Sequence, residues 1–314
     1  MTLPKLLEDR LSLPLIASPM FIVSRPALVI AQCRAGIVGS FPSLNARPSG
    51  VFEEWLQLLR RELTEDDAPF AVNLIVHKTN ARLEEDLALC VKYRVPIVIT
   101  SLGARADVNE AVHSYGGLVF HDVINNMFAR KAIEKGADGL IAVAAGAGGH
   151  AGTLSPFALV EEIRAWFDGP LILSGAIATG RSIAAARMMG ADLAYMGSAF
   201  IATEEANADP KYKQMIVDSS AADIVYSDHF TGVHGNYLRP SITAAGLDPD
   251  KLANAAGMDI AAMAEDEKKA WRDIWGAGQG IGAIEKIQLA ASFIEQLKAQ
   301  YLDAIASFQS KEGA

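Results

Sequence analysis

Short apolar runs alternate with amphipathic, helix-like stretches over the first two thirds of the chain. The runs occupy residues 13–20, 36–41, 70–76, 96–102, 117–122, 139–143, 170–175 and 193–197. They are apolar almost throughout rather than at every second position, which is typical of parallel strands covered on both faces. Eight strand–helix units close a (β/α)8 barrel. The pattern therefore predicts an α/β fold, a (β/α)8 TIM barrel.

The rhythm of strand and helix stops after residue 202. Residues 207–275 are rich in helix formers and interrupted by glycine and proline, and they predict a smaller, mostly helical insertion or lid near the C-terminus. A glycine-rich turn follows, and the amphipathic stretch 284–301 predicts a long closing helix. We therefore expect a barrel formed by residues 1–206 and 276–314, and a helical lid of residues 207–275 that shapes the substrate pocket.

Composition and charge exclude several classes of protein. The 314 residues carry a formal net charge of −9, so the chain lacks the excess of Lys and Arg that nucleic-acid and anionic-membrane binders need. Its two cysteines, Cys33 and Cys90, lie in helix-like stretches without metal-type spacing, which argues against a disulfide framework or a metal site. The sequence has neither a signal-peptide pattern nor an apolar stretch long enough for a bilayer, so a cytoplasmic location is expected.

A single histidine lies in the glycine-rich stretch AAGAGGHAGTLSP, residues 144–156. His150 follows the sixth apolar run, and the loop at the end of a barrel strand is where such folds keep their chemistry. Glycines let the backbone approach a ligand closely. This pattern makes His150 a candidate catalytic residue, and the alternative is a turn with a solvent-exposed histidine.

The same stretch matches a dinucleotide-binding fingerprint only formally. Gly146, Gly148 and Ala151 fit G-x-G-x-x-A, but the next helix is predicted to begin at Ser155–Pro156, beyond the glycines. No acidic residue follows at a suitable strand end. We therefore reject a dinucleotide site here.

Two further glycine turns follow the seventh and eighth runs. They read SGAIATGR at residues 174–181 and MGSAF at residues 196–200. In flavin and sugar-phosphate barrels the corresponding loops bind a phosphate through backbone N–H groups, beside the start of a short helix. The two turns predict a phosphate site, to which Ser198 would add a hydroxyl.

Taken in order, these motifs resemble the nitronate monooxygenase family, formerly called 2-nitropropane dioxygenases, which are FMN-binding TIM-barrel oxidoreductases. The matching elements are LIASPM (15–20), PFAVNL (69–74), GGHAG (148–152), LSGAIATG (173–180), GAD (190–192) and MGSAF (196–200). They span residues 13–203, and WGAGQ at residues 275–279 resembles the family's C-terminal glycine turn near the flavin.

The resemblance implies a role for individual residues. It places His150 at the catalytic position facing the flavin ring. The residues that it implies for cofactor binding are Pro19, Met20, Asn73, His121, Gly149, Ser174, Gly175, Ala176, Gly197, Ser198 and Gln279. Two departures stand out. In several relatives the histidine of the fifth strand is followed by a lysine, whereas here His121 is followed by Asp122. The family's usual Gly-Gly after the serine is Gly175-Ala176 in this chain, after Ser174.

The implied reaction is FMN-dependent oxidation of a nitronate or nitroalkane by dioxygen, giving a carbonyl compound and nitrite. A nitroalkane has an acidic α C–H, for which a neutral imidazole is a suitable base. Two alternatives stay open: an FMN-dependent NAD(P)H reductase of quinones or enoyl thioesters, and a flavin-binding protein without turnover. The sequence leaves the oligomeric state and the physiological substrate open.

Overall fold

A barrel of parallel strands forms the centre of the molecule. The structure, a computed structural model, describes residues 3–48, 50–253 and 274–312. Within these residues the barrel strands are β1 (Leu15–Ala17), β2 (Gly39–Pro42), β3 (Phe70–Ile75), β4 (Ile97–Ser101), β5 (Leu118–Val123), β6 (Gly139–Val143), β8 (Leu171–Ser174) and β9 (Leu193–Met196). They pair in parallel in the order β1-β9-β8-β6-β5-β4-β3-β2, and a parallel bridge from Ile16 to Val38 joins the two ends. The predicted (β/α)8 barrel is confirmed, with one strand at each predicted run; β2 and β5 each extend one residue beyond theirs.

Helices follow the strands around the outside of the barrel. They are α1 (Lys5–Glu8), α2 (Pro26–Arg34), α3 (Val51–Glu62), α4 (Leu83–Lys92), α5 (Ala106–His113), α6 (Asn126–Glu134), α7 (Pro156–Arg164), α8 (Gly180–Met188), α9 (Ser198–Ile201), α10 (Pro210–Asp218), α11 (Arg239–Ala244) and α12 (Ala290–Glu312). Helix α7 begins at Pro156, beyond the glycines of the 144–156 stretch, as the rejection of a dinucleotide site requires. Among the described residues no helix is both long and apolar enough to cross a membrane.

Side chains at alternate strand positions fill the barrel, and the others pack against the helices. The buried interior cluster includes Ile16, Val38, Ala71, Ile97, Ile99, Phe120, Ile141, Ile172, Leu193 and Tyr195. Because neighbouring residues of a strand point to opposite faces, the position two residues further along points inward again. At the carboxyl ends of β3, β4, β5 and β8 those inward positions are polar: Asn73, Ser101, Asp122 and Ser174. The barrel thus has an apolar interior and a polar mouth.

A second, smaller sheet lies above the barrel mouth. It joins β7 (Gly149–His150) to β11 (Gly235–Leu238), which also pairs with β10 (Ile224–Ser227); both pairings are antiparallel. The described part of the 207–275 segment contains α10 and α11, and it also contributes the two strands β10 and β11, which the sequence did not predict. Residues 254–273 of the predicted lid lie outside the described residues. Its role as a lid remains a prediction.

The closing helix begins later than predicted. The sequence predicted a helix over residues 284–301, whereas α12 runs over Ala290–Glu312. The carboxylate of Glu205 accepts a hydrogen bond from the Ala290 N–H at 2.9 Å and caps the helix there. Helix α12 packs closely on α8, because Gly180 has no side chain: a Cβ there would lie 2.0 Å from the Leu297 carbonyl oxygen.

Candidate active site

Four glycine-containing turns meet at one pocket beside the carboxyl ends of β6, β8 and β9. The lining residues are Gly146, Ala147, Gly148, Ser174, Gly175, Ala176, Ile177, Ala178, Tyr195, Gly197, Ser198, Gly278 and Gly280. The structure thus brings together the two turns for which the sequence predicts a phosphate site, through Ser174, Gly175, Ala176, Gly197 and Ser198. Gln279 lies beside them, since a Cβ on Gly146 would be 2.9 Å from its Oε1.

The turns approach one another too closely for larger residues. A Cβ on Gly148 would lie 2.7 Å from the Gly278 nitrogen and 2.8 Å from Ser198 Oγ. The Gly278 N–H in turn donates to Ser198 Oγ at 2.8 Å. A Cβ on Gly280 would lie 2.7 Å from the Ala176 carbonyl oxygen. The pocket wall is therefore built from backbone, which suits an anionic ligand held by N–H groups.

The loop after β1 packs against this wall. A Cβ on Gly197 would lie 3.6 Å from the sulfur of Met20. Asn45 holds the loop: its Oδ1 accepts from the Ile22 N–H at 2.8 Å, and its Nδ2 donates to the carbonyl oxygens of Met20 at 3.0 Å and Ser24 at 2.8 Å. Pro19, which precedes Met20, is half-buried in the same loop.

Three polar side chains form a chain of hydrogen bonds across the barrel mouth. Asn73 Nδ2 donates to Ser101 Oγ at 2.8 Å, and Ser101 Oγ donates to Asp122 Oδ2 at 2.6 Å. Burial raises the pKa of Asp122 to about 6, although the Ser101 hydrogen bond works in the opposite direction. The other oxygen, Asp122 Oδ1, is fully buried and has no hydrogen-bond partner among the described residues; the Tyr195 hydroxyl is also buried.

His121 lies on the opposite face of β5 from Asp122. Its flanking outward neighbours Val119 and Val123 belong to clusters under the helices, whereas Phe120 belongs to the barrel interior. Its Nδ1 is 2.5 Å from the Thr100 hydroxyl, and burial lowers its pKa to about 4. The structure therefore does not bring His121 to the pocket that the two predicted phosphate turns line.

His150 is held above the barrel mouth by the small sheet. Gly149 and His150 pair with Asn236 and Gly235 of β11. The Nε2 atom of His150 is 3.1 Å from Thr231 Oγ1, whose hydroxyl donates to the Val233 carbonyl oxygen at 3.0 Å.

The surroundings of His150 determine its charge. Thr231 Oγ1 holds the ring through Nε2, and the same oxygen lies 3.4 Å from the Tyr237 hydroxyl. Burial lowers the pKa of His150 to about 4, which keeps the ring neutral at neutral pH. The ring is therefore a half-buried, neutral imidazole rather than a solvated turn residue.

Comparison with known proteins assigns the family. The family model for nitronate monooxygenase matches residues 5–300. The chain belongs to the nitronate monooxygenase family. It is 26% identical to a nitronate monooxygenase of Paraburkholderia phytofirmans, with 93% of each chain covered. A structure of FabK from Thermotoga maritima is 26% identical with a TM-score of 0.81, covering 98% of this chain and 97% of that one. Nitroalkane oxidase from Streptomyces ansochromogenes, at 24% identity, shares the fold with a TM-score of 0.84 over 97% of this chain and 100% of its own.

Membership of this family makes the protein a flavin-dependent oxidoreductase. The residues present fit a flavin. The pocket between the glycine turns is walled largely by backbone, as a phosphate held by N–H groups requires, and at the barrel mouth the buried Asp122 Oδ1 has no hydrogen-bond partner among the described residues. No group of three His, Cys, Asp or Glu side chains in the described part of the chain is placed to hold a metal.

The sequence did not single out Asn45, Ser101, Tyr195 or Thr231. Ser101 and Tyr195 lie at or near strand ends. Successive side chains there point alternately inward and outward, and the sequence does not show which of the two faces is the interior. Asn45 and Thr231 act through hydrogen bonds to residues distant in sequence, for which the sequence carries no local signal.

Proposed function

We propose that the protein binds FMN and oxidises nitronates or nitroalkanes with dioxygen, giving a carbonyl compound and nitrite. The family match supports the reaction class. The observation that carries the proposal is the neutral imidazole of His150, two residues after Gly148 of the pocket wall.

The glycine wall and the barrel mouth would hold the cofactor. The turns at Gly175–Ala176 and Gly197–Ser198 would bind the phosphate, and Met20 and Asn73 would lie by the ring. When bound, FMN accepts electrons from the substrate and passes them to dioxygen. The protein's share is to bind the cofactor, orient the substrate and move a proton.

His150 supplies the base for a neutral nitroalkane. The neutral ring would take the α-proton of the substrate, while the contact of Nε2 with Thr231 holds the ring in place. A nitronate has already lost that proton, so towards a nitronate the ring would only bind and orient. The two substrate forms therefore separate the base role from the binding role.

The test of this function compares both substrate forms in His150→Ala and His150→Asn. Removing a general base slows its step roughly a hundredfold or more, so flavin reduction by a nitroalkane should slow by that much while a pre-formed nitronate loses far less. Asparagine restores a hydrogen-bonding group without basicity and should rescue nitronate turnover better than nitroalkane turnover. The measurement is anaerobic stopped-flow bleaching of the flavin.

The matched control is His113→Ala, since His113 ends helix α5 and pairs with Asp138 away from the pocket. Its rates should equal those of the wild type. Equal losses on the two substrate forms in the His150 variants would remove the base role, and no loss on either would remove the assignment of His150 altogether.

The cofactor is tested separately. Denaturing the protein should release FMN, whereas FAD, or no flavin after refolding with FMN, would overturn this part of the proposal. Gly197→Val should lower flavin content, because a Cβ there already lies 3.3 Å from Ser18 Cβ and a branched side chain would enter the phosphate volume.

A second candidate is an FMN-dependent NAD(P)H reductase of quinones or enoyl thioesters. The likeness to FabK over almost the whole chain favours it. An anaerobic titration with a nitronate and, separately, with NADH and NADPH decides between the two. Stoichiometric flavin reduction by a nicotinamide, without reduction by the nitronate, would establish the second candidate.

A further inference from the structure

We propose that, when a flavin is bound at the barrel mouth, Asp122 is protonated and donates a hydrogen bond from Oδ1 to the cofactor. The inference deepens the proposed function and rests on it, because it requires a flavin at the barrel mouth. It is drawn from the hydrogen-bond chain of Asn73, Ser101 and Asp122 and from the buried Oδ1 of Asp122, which has no partner among the described residues.

The side chain of Asp122 points into the barrel mouth. Phe120, two residues earlier on β5, belongs to the barrel interior together with Ile99 and Tyr195. Ser101 likewise lies two residues after Ile99 on β4, so it also points inward, and its hydroxyl donates to Asp122. Tyr195 links this floor to the glycine pocket, because it lines that pocket and its pKa is raised in part by the charge of Asp122.

The chain of hydrogen bonds decides which oxygen carries the proton. Asp122 Oδ2 accepts the Ser101 hydroxyl proton, so the proton of the neutral acid belongs on Oδ1. Oδ1 is fully buried and has no partner among the described residues, and an unsatisfied buried polar atom is costly. A ligand atom at the barrel mouth would satisfy it.

The surroundings of Asp122 favour the neutral acid. The shift in its pKa comes from burial and from Ser101 alone, with no contribution from a charged side chain. The titratable groups around it are Tyr195 across the barrel, His121 on the outer face of β5 and His150 above the mouth. Burial raises the pKa of Tyr195 and lowers those of both histidines, so all three are uncharged at neutral pH. None of these three groups would stabilise an ionised Asp122, and a hydrogen bond from the neutral acid to a bound cofactor would raise its pKa further above about 6.

The test follows the absorption spectrum of the flavin-loaded protein from pH 5 to 8. The wild type should show a spectral transition with a midpoint at or above about 6, because the donor form is the one that contacts the cofactor. Asp122→Asn keeps an N–H donor and removes the ionisation, so the transition should disappear while flavin stays bound. Asp122→Ala removes the donor and should weaken FMN binding about tenfold, the usual size of one buried hydrogen bond.

Ser101→Ala adds a directional test. The Ser101 hydroxyl lowers the pKa of Asp122, so its loss should move the midpoint to higher pH, a shift that a merely structural role would not produce. The matched control is Asp66→Asn, an exposed carboxylate on the loop before β3, at the other end of the barrel. It should leave midpoint and affinity unchanged.

The outcomes separate the two proposals. A protein that binds no flavin would overturn both this inference and the proposed function. A protein that binds FMN with the same pH-dependent spectrum in the wild type and in Asp122→Asn would overturn the role of Asp122 alone. A downward shift of the midpoint in Ser101→Ala would do the same.

Discussion

Three residues other than glycine adopt a left-handed backbone on the loops at the carboxyl end of the barrel. Ile22, Leu102 and Ala176 have φ of 65°, 60° and 55°, and they follow β1, β4 and β8. The remaining case in the described chain, Arg94, lies just past the end of α4, where helices commonly adopt this conformation. Such residues cost about 1–3 kcal/mol each and cluster at functional sites. The surrounding contacts, such as those of Asn45 to the loop of Ile22, hold the strain in place.

Ala176 allows the strain to be measured. Ala176→Gly should raise the free energy of unfolding by roughly 0.5–1 kcal/mol, because glycine adopts this φ without a Cβ penalty. Ala178→Gly on the same loop, where φ is not positive and the side chain is buried, should instead lower it by a similar amount. Urea unfolding of both variants provides the comparison. A loss of stability in Ala176→Gly as large as that in Ala178→Gly would show that the left-handed conformation carries no strain.

At the same scale, the sequence could not distinguish His121 from Asp122. Parallel barrel strands are apolar on both faces, so alternation alone does not show which face is the interior. The resemblance therefore led to His121, and the structure places Asp122 at the mouth instead. The glycine turns were predictable because a close approach of two backbones requires glycine, and glycine is visible in the sequence, as at Gly148 and Gly278.

At the scale of elements, the sequence predicted the eight barrel strands and missed the small sheet. The barrel strands are long apolar runs bounded by helices, which periodicity detects. Strand β7 has two residues, Gly149–His150, and its partner β11 lies more than 80 positions later. Pairing between such distant segments has no local sequence signal. The sequence therefore predicted a loop where the structure has the short strand β7, which holds His150.

Gly235 makes the dependence of His150 on this sheet testable. A Cβ on Gly235 would lie 2.9 Å from the Gly149 carbonyl oxygen, so Gly235→Ala should push β7 away and displace His150 while the barrel still folds. Nitroalkane oxidation should fall at least tenfold, since a displacement of about an ångström commonly costs that much or more. Flavin content and far-UV circular dichroism should stay near wild type.

The matched control is Gly282→Ala, where a Cβ meets nothing closer than 3.6 Å. That variant should keep full activity. If Gly235→Ala also keeps full activity, β11 does not position the imidazole.

At the scale of the whole molecule, three buried titratable groups near the barrel mouth set opposing pH dependences of stability. Burial lowers the pKa of His121 and His150 from 6.5 to about 4, so between these values the unfolded chain binds more protons and stability falls as the pH falls. Asp122 acts in the opposite direction. Its pKa is raised from 3.8 to about 6, so the folded chain holds the extra proton and stability falls as the pH rises through that window.

Between about pH 4 and 6 the aspartic acid therefore cancels the effect of one histidine. Asp122→Asn removes the cancellation, and the free energy of unfolding should then fall more steeply on acidification from pH 6 to 5, by up to about 1.4 kcal/mol per pH unit. Other carboxylates contribute equally to both proteins and drop out of the difference. Urea unfolding of the flavin-free protein at pH 7, 6 and 5 measures the slopes, with Asp66→Asn, an exposed carboxylate, expected to match the wild type. Parallel slopes in Asp122→Asn and the wild type would mean that Asp122 is already ionised in the folded protein at pH 5, and that the barrel mouth is wetter than its buried side chains indicate.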